Sequence, residues 1–158
     1  MATFTNQTFT NDDDWVTPKS AWEQIKHIIP KDKVIWESFY CDGKSGTHFK
    51  EMGFDVIHKN IDFFENDLGD IIISNPPFSL VKKIMPYLLK LDKPFILLMP
   101  VSKIATQYMK IFKEKLQIII PPNRIKFEKK SIKKSSPNFD CFYYCYKMEL
   151  QNDITWLE

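Results

Sequence analysis

Apolar positions along the chain fall into short blocks whose period changes from one block to the next, and the changes predict the elements. Ala21, Trp22, Ile25, Ile28 and Ile29 recur at helical spacing behind Thr17-Pro18, where a threonine N-cap and a first-turn proline open a helix that Pro30 stops. A short β-rich run over 33–37 leads into Cys41-Asp42-Gly43, a turn signature. A helix is expected over 45–52, ended by Gly53, with strands over 54–58 and 70–74 after it. The runs Ile71-Ile72-Ile73 and Phe95-Ile96-Leu97-Leu98-Met99 are apolar without alternation, so both of their faces are covered, as in a buried parallel sheet. Between them, Leu80, Val81, Ile84, Tyr87, Leu88 and Leu91 trace a helical stripe, and residues 104–112 read as another helix. The tail differs: 116–120, 124–128 and 141–148 are all β-rich, and the last two, separated by a lysine-rich loop, are expected to close the sheet as an antiparallel hairpin. Strand and helix alternate, which predicts an α/β fold with a mostly parallel central sheet and helices on both faces.

Residues 1–13 are polar and aperiodic and read as a flexible arm, leaving 14–158 as one domain with no repeat, linker or second domain. A chain of 158 residues, 44% hydrophobic and 27% charged, has the balance of a globular protein with one core; disorder and fibrous architecture are excluded. The apolar runs are far shorter than the roughly 20 residues that span a bilayer, and the N-terminus lacks the basic and apolar regions of a secretory signal. A cytoplasmic location without membrane attachment is expected. Cys41, Cys141 and Cys145 are odd in number and lack metal-ligand spacing, so neither a metal nor a disulfide is expected. The net charge of +2 is small, but Lys126, Lys129, Lys130, Lys133 and Lys134 crowd one stretch while Asp12, Asp13 and Asp14 crowd another. That basic stretch is either a solvated loop or a phosphate-contacting one; with Arg124 the sole arginine, its contacts would be lysine point charges.

The sharpest chemical signal is Asn75-Pro76-Pro77-Phe78 at the carboxyl end of the 70–74 strand, where open α/β sheets place their ligands. Two prolines fix both φ angles and remove two donors, leaving a stiff backbone whose carbonyls face a ligand rather than a ladder. An amide and a carbonyl then offer two acceptors to a planar amino group, and Phe78 offers a ring on which a base can stack.

This segment resembles the catalytic motif of the S-adenosylmethionine-dependent amino-methyltransferases, which methylate exocyclic amines of adenine or cytosine, with relatives acting on guanine or glutamine. Other pieces of that family's pattern stand in order. Trp36-Glu37-Ser38-Phe39-Tyr40-Cys41-Asp42-Gly43 resembles the cofactor-binding loop; Asp14-Trp15-Val16-Thr17-Pro18 resembles the segment that precedes the loop and packs over the cofactor. Ile61-Asp62-Phe63-Phe64 lies where the family contacts the cofactor adenine, and Pro122-Asn123-Arg124-Ile125-Lys126-Phe127 with the segment from Phe139 resembles the late motif that lines the target-base pocket. The resemblance implies a Rossmann-like methyltransferase fold of the small viral or phage DNA adenine type, without a target-recognition domain. It implies catalysis by Asn75, Pro76, Pro77 and Phe78. Cofactor binding would fall to Trp15, Thr17, Pro18, Glu37, Phe39, Asp42, Gly43, Asp62, Phe63 and Asn75. Substrate binding would fall to Phe78, Arg124, Lys126, Phe127, Lys129, Lys130, Lys133, Lys134 and Phe139.

Departures from the pattern are equally specific. The family loop has glycine where Cys41 stands and proline where Ser38 stands, and the strand ending near His58 lacks the usual acidic residue for the cofactor ribose, for which His58, Asn60 or Asp62 can substitute. Asp62 also reads simply as a cap for the Phe63-Phe64 turn, and Trp22 and Trp36 as core. Gly43-Lys44-Ser45 has the context of a phosphate-binding loop, but such a loop needs a glycine at Ser38. Three readings stay open: methyl transfer to adenine N6, with DNA favoured over RNA; transfer to RNA or to protein glutamine; and a non-catalytic methyltransferase-fold subunit that binds nucleic acid or a partner. Both monomer and homodimer fit.

Overall fold

The computed structural model describes residues 15–41, 43–129 and 139–158; the arm, Asp42, Lys130, Lys133 and Lys134 lie outside them, and at Trp15 and Lys129 only the backbone is described. The two continuous apolar runs form the middle of the sheet. Ile71–Ser74 (β4) and Phe95–Pro100 (β5) are buried at every position and pair in parallel. Their side chains alternate between two cores. Ile71, Ile73, Ile96 and Leu98 point to one side with Ala21, Trp22, Ile25, Phe49 and Phe54. Ile72, Phe95, Leu97 and Met99 point to the other with Val81, Ile84, Met85 and Leu88. Each such fully buried side chain contributes roughly 1.5–3 kcal/mol relative to exposure, so both faces demand a helical cover. Helices Lys19–Glu23 (α1) and Lys44–Glu51 (α2) supply one layer, and Val81–Leu91 (α3) and Gln107–Lys110 (α4) the other.

Seven strands make the sheet. Besides β4 and β5 they are Ile35–Trp36 (β2), Val56–Ile57 (β3), Leu116–Ile120 (β6), Cys141–Tyr146 (β8) and Ile154–Trp156 (β9), in the order β3-β2-β4-β5-β8-β6-β9. All neighbours are parallel except β8, which is antiparallel to both β5 and β6. The expected α/β architecture, a mostly parallel Rossmann-like sheet with antiparallel strands near its C-terminal end and helices on both faces, is the one observed. Because β2 has β3 on one side and β4 on the other, the strand order reverses between β2 and β4, and the carboxyl ends flanking such a reversal are where open α/β sheets place ligands.

Four details differ from the sequence reading. The hairpin joins Leu116–Ile120 to Cys141–Tyr146; Glu128–Lys129 (β7) turns away and pairs antiparallel with Trp15–Val16 (β1) as a separate ribbon. The first helix breaks into α1 and a 3₁₀ turn at Lys26–Ile28. Thr17 does not cap it: Pro18 is the N-cap, with no side-chain bond, because the Thr17 hydroxyl is engaged elsewhere. The edge strand β9 had no periodic signature, being three residues of which two are exposed.

Candidate functional site

Three strand ends meet at the point where the strand order reverses. β2 runs into Glu37, Ser38 and Phe39; β4 ends at Ser74 and runs into Asn75; and Asp62 follows β3. Glu37 and Ser74 are almost wholly buried and join across the switch point, the Ser74 hydroxyl donating to Glu37 Oε1, which also accepts from the Phe39 backbone N–H at 3.0 Å. One carboxylate thus ties the end of β4 to the loop after β2. The sequence signal for this tie is the single polar residue that ends the isoleucine run.

At Asn75 the side-chain Nδ2 donates to Thr17 Oγ1 at 2.8 Å, while Oδ1 is buried and has no partner among the described residues. The cause lies in the next two residues. An asparagine oxygen ordinarily accepts from the backbone N–H two positions on, forming a local turn. Here that position is Pro77, preceded by Pro76, both buried, and neither has an N–H to give. The proline pair therefore withholds the local donor and leaves the oxygen open. Phe78 follows, half-buried, with its ring 5.3 Å from Phe139 at 86°, and Phe139 is 5.9 Å from Phe127. Three aromatic rings expected from separate segments meet in one group.

Asp62 caps the 3₁₀ turn Phe63–Glu65 through Oδ1, which accepts from the Phe64 N–H at 3.0 Å; its Oδ2 is buried without a partner, so the capping role and an open acceptor coexist. Ser38 Oγ is likewise buried and unpaired among the described residues. Leaving such a group unsatisfied costs on the order of 1–3 kcal/mol. Three of them, Ser38 Oγ, Asp62 Oδ2 and Asn75 Oδ1, follow three neighbouring strands at one sheet edge. That donor and acceptor set fits a polar ligand.

Phe39 and Phe63 lie under this edge, 4.6 Å apart and packed with Trp36 and Tyr87. Gly43 has φ +86°, and Cys41 takes φ +53° although it is not glycine. The position where the family pattern has glycine is left-handed in this chain. Arg124 is engaged at the surface, its Nε 3.0 Å from Asp140 Oδ1, and Lys126 is exposed. Two cavities lie elsewhere. One of about 230 Å³ is lined by Val101, Ile120, Pro121, Pro122 and Phe142 at the carboxyl ends of β5 and β6; one of about 440 Å³, lined by Asp92, Glu114 and Lys147, sits at the opposite edge. Neither includes Asn75, Glu37 or Asp62.

No protein-family model matches the sequence, and no curated protein matches it. Among solved structures, the chain is similar to the crystal structure of a dimethyladenosine transferase from Plasmodium falciparum, at 10% identity and a TM-score of 0.49, over 83% of this chain and 62% of that one. The present chain therefore spans less than two thirds of that protein.

Proposed function

We propose that this chain is a methyltransferase that moves a methyl group from S-adenosylmethionine to an exocyclic amine, adenine N6 in DNA being the first substrate to test. The observation that carries the reading is Asn75: an amide oxygen held open by two prolines, at the carboxyl edge where the strand order reverses, beside a cluster of aromatic rings. Glu37, Gly43, Asp62 and the backbone after β2 would hold the cofactor. Bound there, it supplies an activated methyl group on a sulfonium.

The chain's own residues then have orienting work to do. Asn75 Oδ1 and a backbone carbonyl of the proline pair accept the two amine hydrogens, which fixes the amine and raises its nucleophilicity. Phe78 stacks on the base and, with Phe127 and Phe139, excludes water from it. A base in duplex DNA leaves the stack at a cost of a few kcal/mol, which single-stranded substrate avoids. Lys126, Lys129 and the lysines after them would meet phosphates, giving an affinity that falls steeply with salt.

Nucleosides released from DNA and RNA treated with the protein and isotope-labelled S-adenosylmethionine, analysed by mass spectrometry, test the reading directly. Labelled N6-methyladenosine or its deoxy form is the expected product. Asn75→Ala should keep cofactor affinity, measured by calorimetry, and abolish transfer. Cofactor binding without transfer to any nucleic acid or protein amine would identify a non-catalytic subunit instead.

A further inference from the structure

We infer that Thr17, a residue of the N-terminal segment, acts as a positioning residue: it anchors the Asn75 side chain where its open oxygen can meet the amine, and the β1–β7 ribbon holds Thr17 in place. The inference rests on the methyl-transfer reading and adds a role that the family pattern, in which this segment covers the cofactor, does not give.

An amide presents one acceptor oxygen and two N–H donors, and rotating it by a half turn exchanges them. Only the oxygen is useful to an amine, which offers hydrogens of its own. Thr17 Oγ1 takes one N–H of Asn75 at 2.8 Å. A threonine hydroxyl can pair with either end of an amide; here it takes the N–H, which anchors the Asn75 side chain and leaves the oxygen open. Thr17 is 3% exposed, so water is a poor substitute for the hydroxyl.

Thr17 is free for this because Pro18 occupies the N-cap position of α1. Its own location is fixed from both sides. Trp15 and Val16 pair with Lys129 and Glu128. The helix after it is bound to the sheet through Tyr143, whose hydroxyl donates to the Ala21 carbonyl at 2.6 Å and accepts from Gln24 Nε2 at 2.5 Å. The ribbon strand that carries Thr17 is thereby joined to the strand from which the lysine run departs, so the element that would meet nucleic acid and the amide that would meet the base share one brace.

The test compares Thr17→Val, which keeps shape and removes the acceptor, with Thr17→Ser, which restores it. Cofactor Kd is measured by calorimetry, and kcat and KM are measured on an adenine-containing oligonucleotide. The expected result for T17V is a fall in kcat on the order of 10- to 100-fold, usual for loss of a bond that orients a reacting group, with cofactor Kd within about twofold of the parent. T17S should lie near the parent. Side-chain amide signals of Asn75 in a nitrogen-15 spectrum give a readout that does not need turnover, and exchange of those hydrogens should quicken in T17V alone. Unchanged kcat in T17V overturns the inference, as does a raised cofactor Kd with kcat intact, which would make Thr17 a cofactor contact. Should T17V fail to fold, Thr17→Ala carries the same comparison. A parent protein that binds cofactor and methylates nothing defeats the functional reading itself, an outcome distinct from either of these.

Discussion

Replacing Gly46 by alanine sets two physical effects against each other, and the structure states which wins. Gly46 lies inside α2 and is buried. Helix propensity alone favours alanine there by about 1 kcal/mol. A Cβ at this position, however, would stand 1.7 Å from His58 Nδ1, 2.1 Å from Cγ and 2.6 Å from its Cβ. These are the ring and the root of the side chain, not a flexible tip, and the ring lies against that of Tyr40, tilted by 38° with centroids 4.6 Å apart. Overpacking costs typically 1–3 kcal/mol, and loss of an aromatic contact about 0.5–1.5 kcal/mol more. The net expectation is a loss of roughly 1–3 kcal/mol, which for a domain of this size lowers Tm by about 2–12 °C. The disturbance also reaches the cofactor side, because Tyr40 lies against Gly43, its hydroxyl 3.1 Å from where a Gly43 Cβ would stand. Thermal and urea unfolding of G46A, of His58→Ala and of the double variant measure the effect. The double variant should be more stable than the sum of the single losses allows, since removing the imidazole makes room for the methyl group. A G46A protein as stable as the parent, or more so, would refute the reasoning and mean that His58 moves aside at no cost.

Two further outcomes follow from the backbone and the charges. Cys41→Gly should relieve a left-handed residue worth roughly 1–2 kcal/mol while adding about 0.5–1 kcal/mol of unfolded-chain entropy. Stability should therefore move little while affinity for S-adenosylmethionine rises; weaker binding by calorimetry would mean that the cysteine is itself a contact. Asp92 is held below the usual carboxylate range by hydrogen bonds from Lys147 and Tyr146, so the stability it gives is present at neutral pH and is lost as pH falls through its lowered pKa. Asp92→Asn should accordingly melt below the parent at pH 7, the two converging in acid. In the same contact the Tyr146 hydroxyl is pushed up to about 12 from 10.0, chiefly by the bond to Asp92. Its contribution should persist below pH 10 and fade between 10 and about 12, and Tyr146→Phe should lack that alkaline loss in melts followed against pH.

Much of the fold was legible because burial on both faces writes itself into sequence. The isoleucines of β4 and the apolar run of β5 have no alternation for the simple reason that each face meets a helix, and α3 shows its buried stripe at Val81, Ile84 and Leu88. What escaped was pairing decided by tertiary contact. The β character of Glu128–Lys129 is evident, but nothing local says that its partner is Trp15–Val16, more than 100 residues away in the chain, rather than the nearby strand β8. At the site, Asn75, Phe78, Phe127 and Phe139 stood out by type and order. The Thr17 bond was hidden behind a competing local reading, since a threonine before proline and an apolar stripe looks like a cap. Ser74 drew no notice because a serine at a strand end is common.

Those two overlooked hydroxyls account for the stiffness of the site. Asn75 lies between residues with opposite obligations: Ser74 on one side is bound to Glu37, and Pro76 and Pro77 on the other have no hydrogen to offer. The backbone on both sides is therefore settled without the Asn75 side chain, and the amide is left to Thr17 alone. The loop after β2 is built on the contrary plan, with left-handed residues at Cys41 and Gly43 and the unpaired hydroxyl of Ser38. On the proposed methyl transfer, the strand end that would hold the amine is then the one whose backbone is fixed independently of its reactive side chain, as a reaction relying on orientation requires.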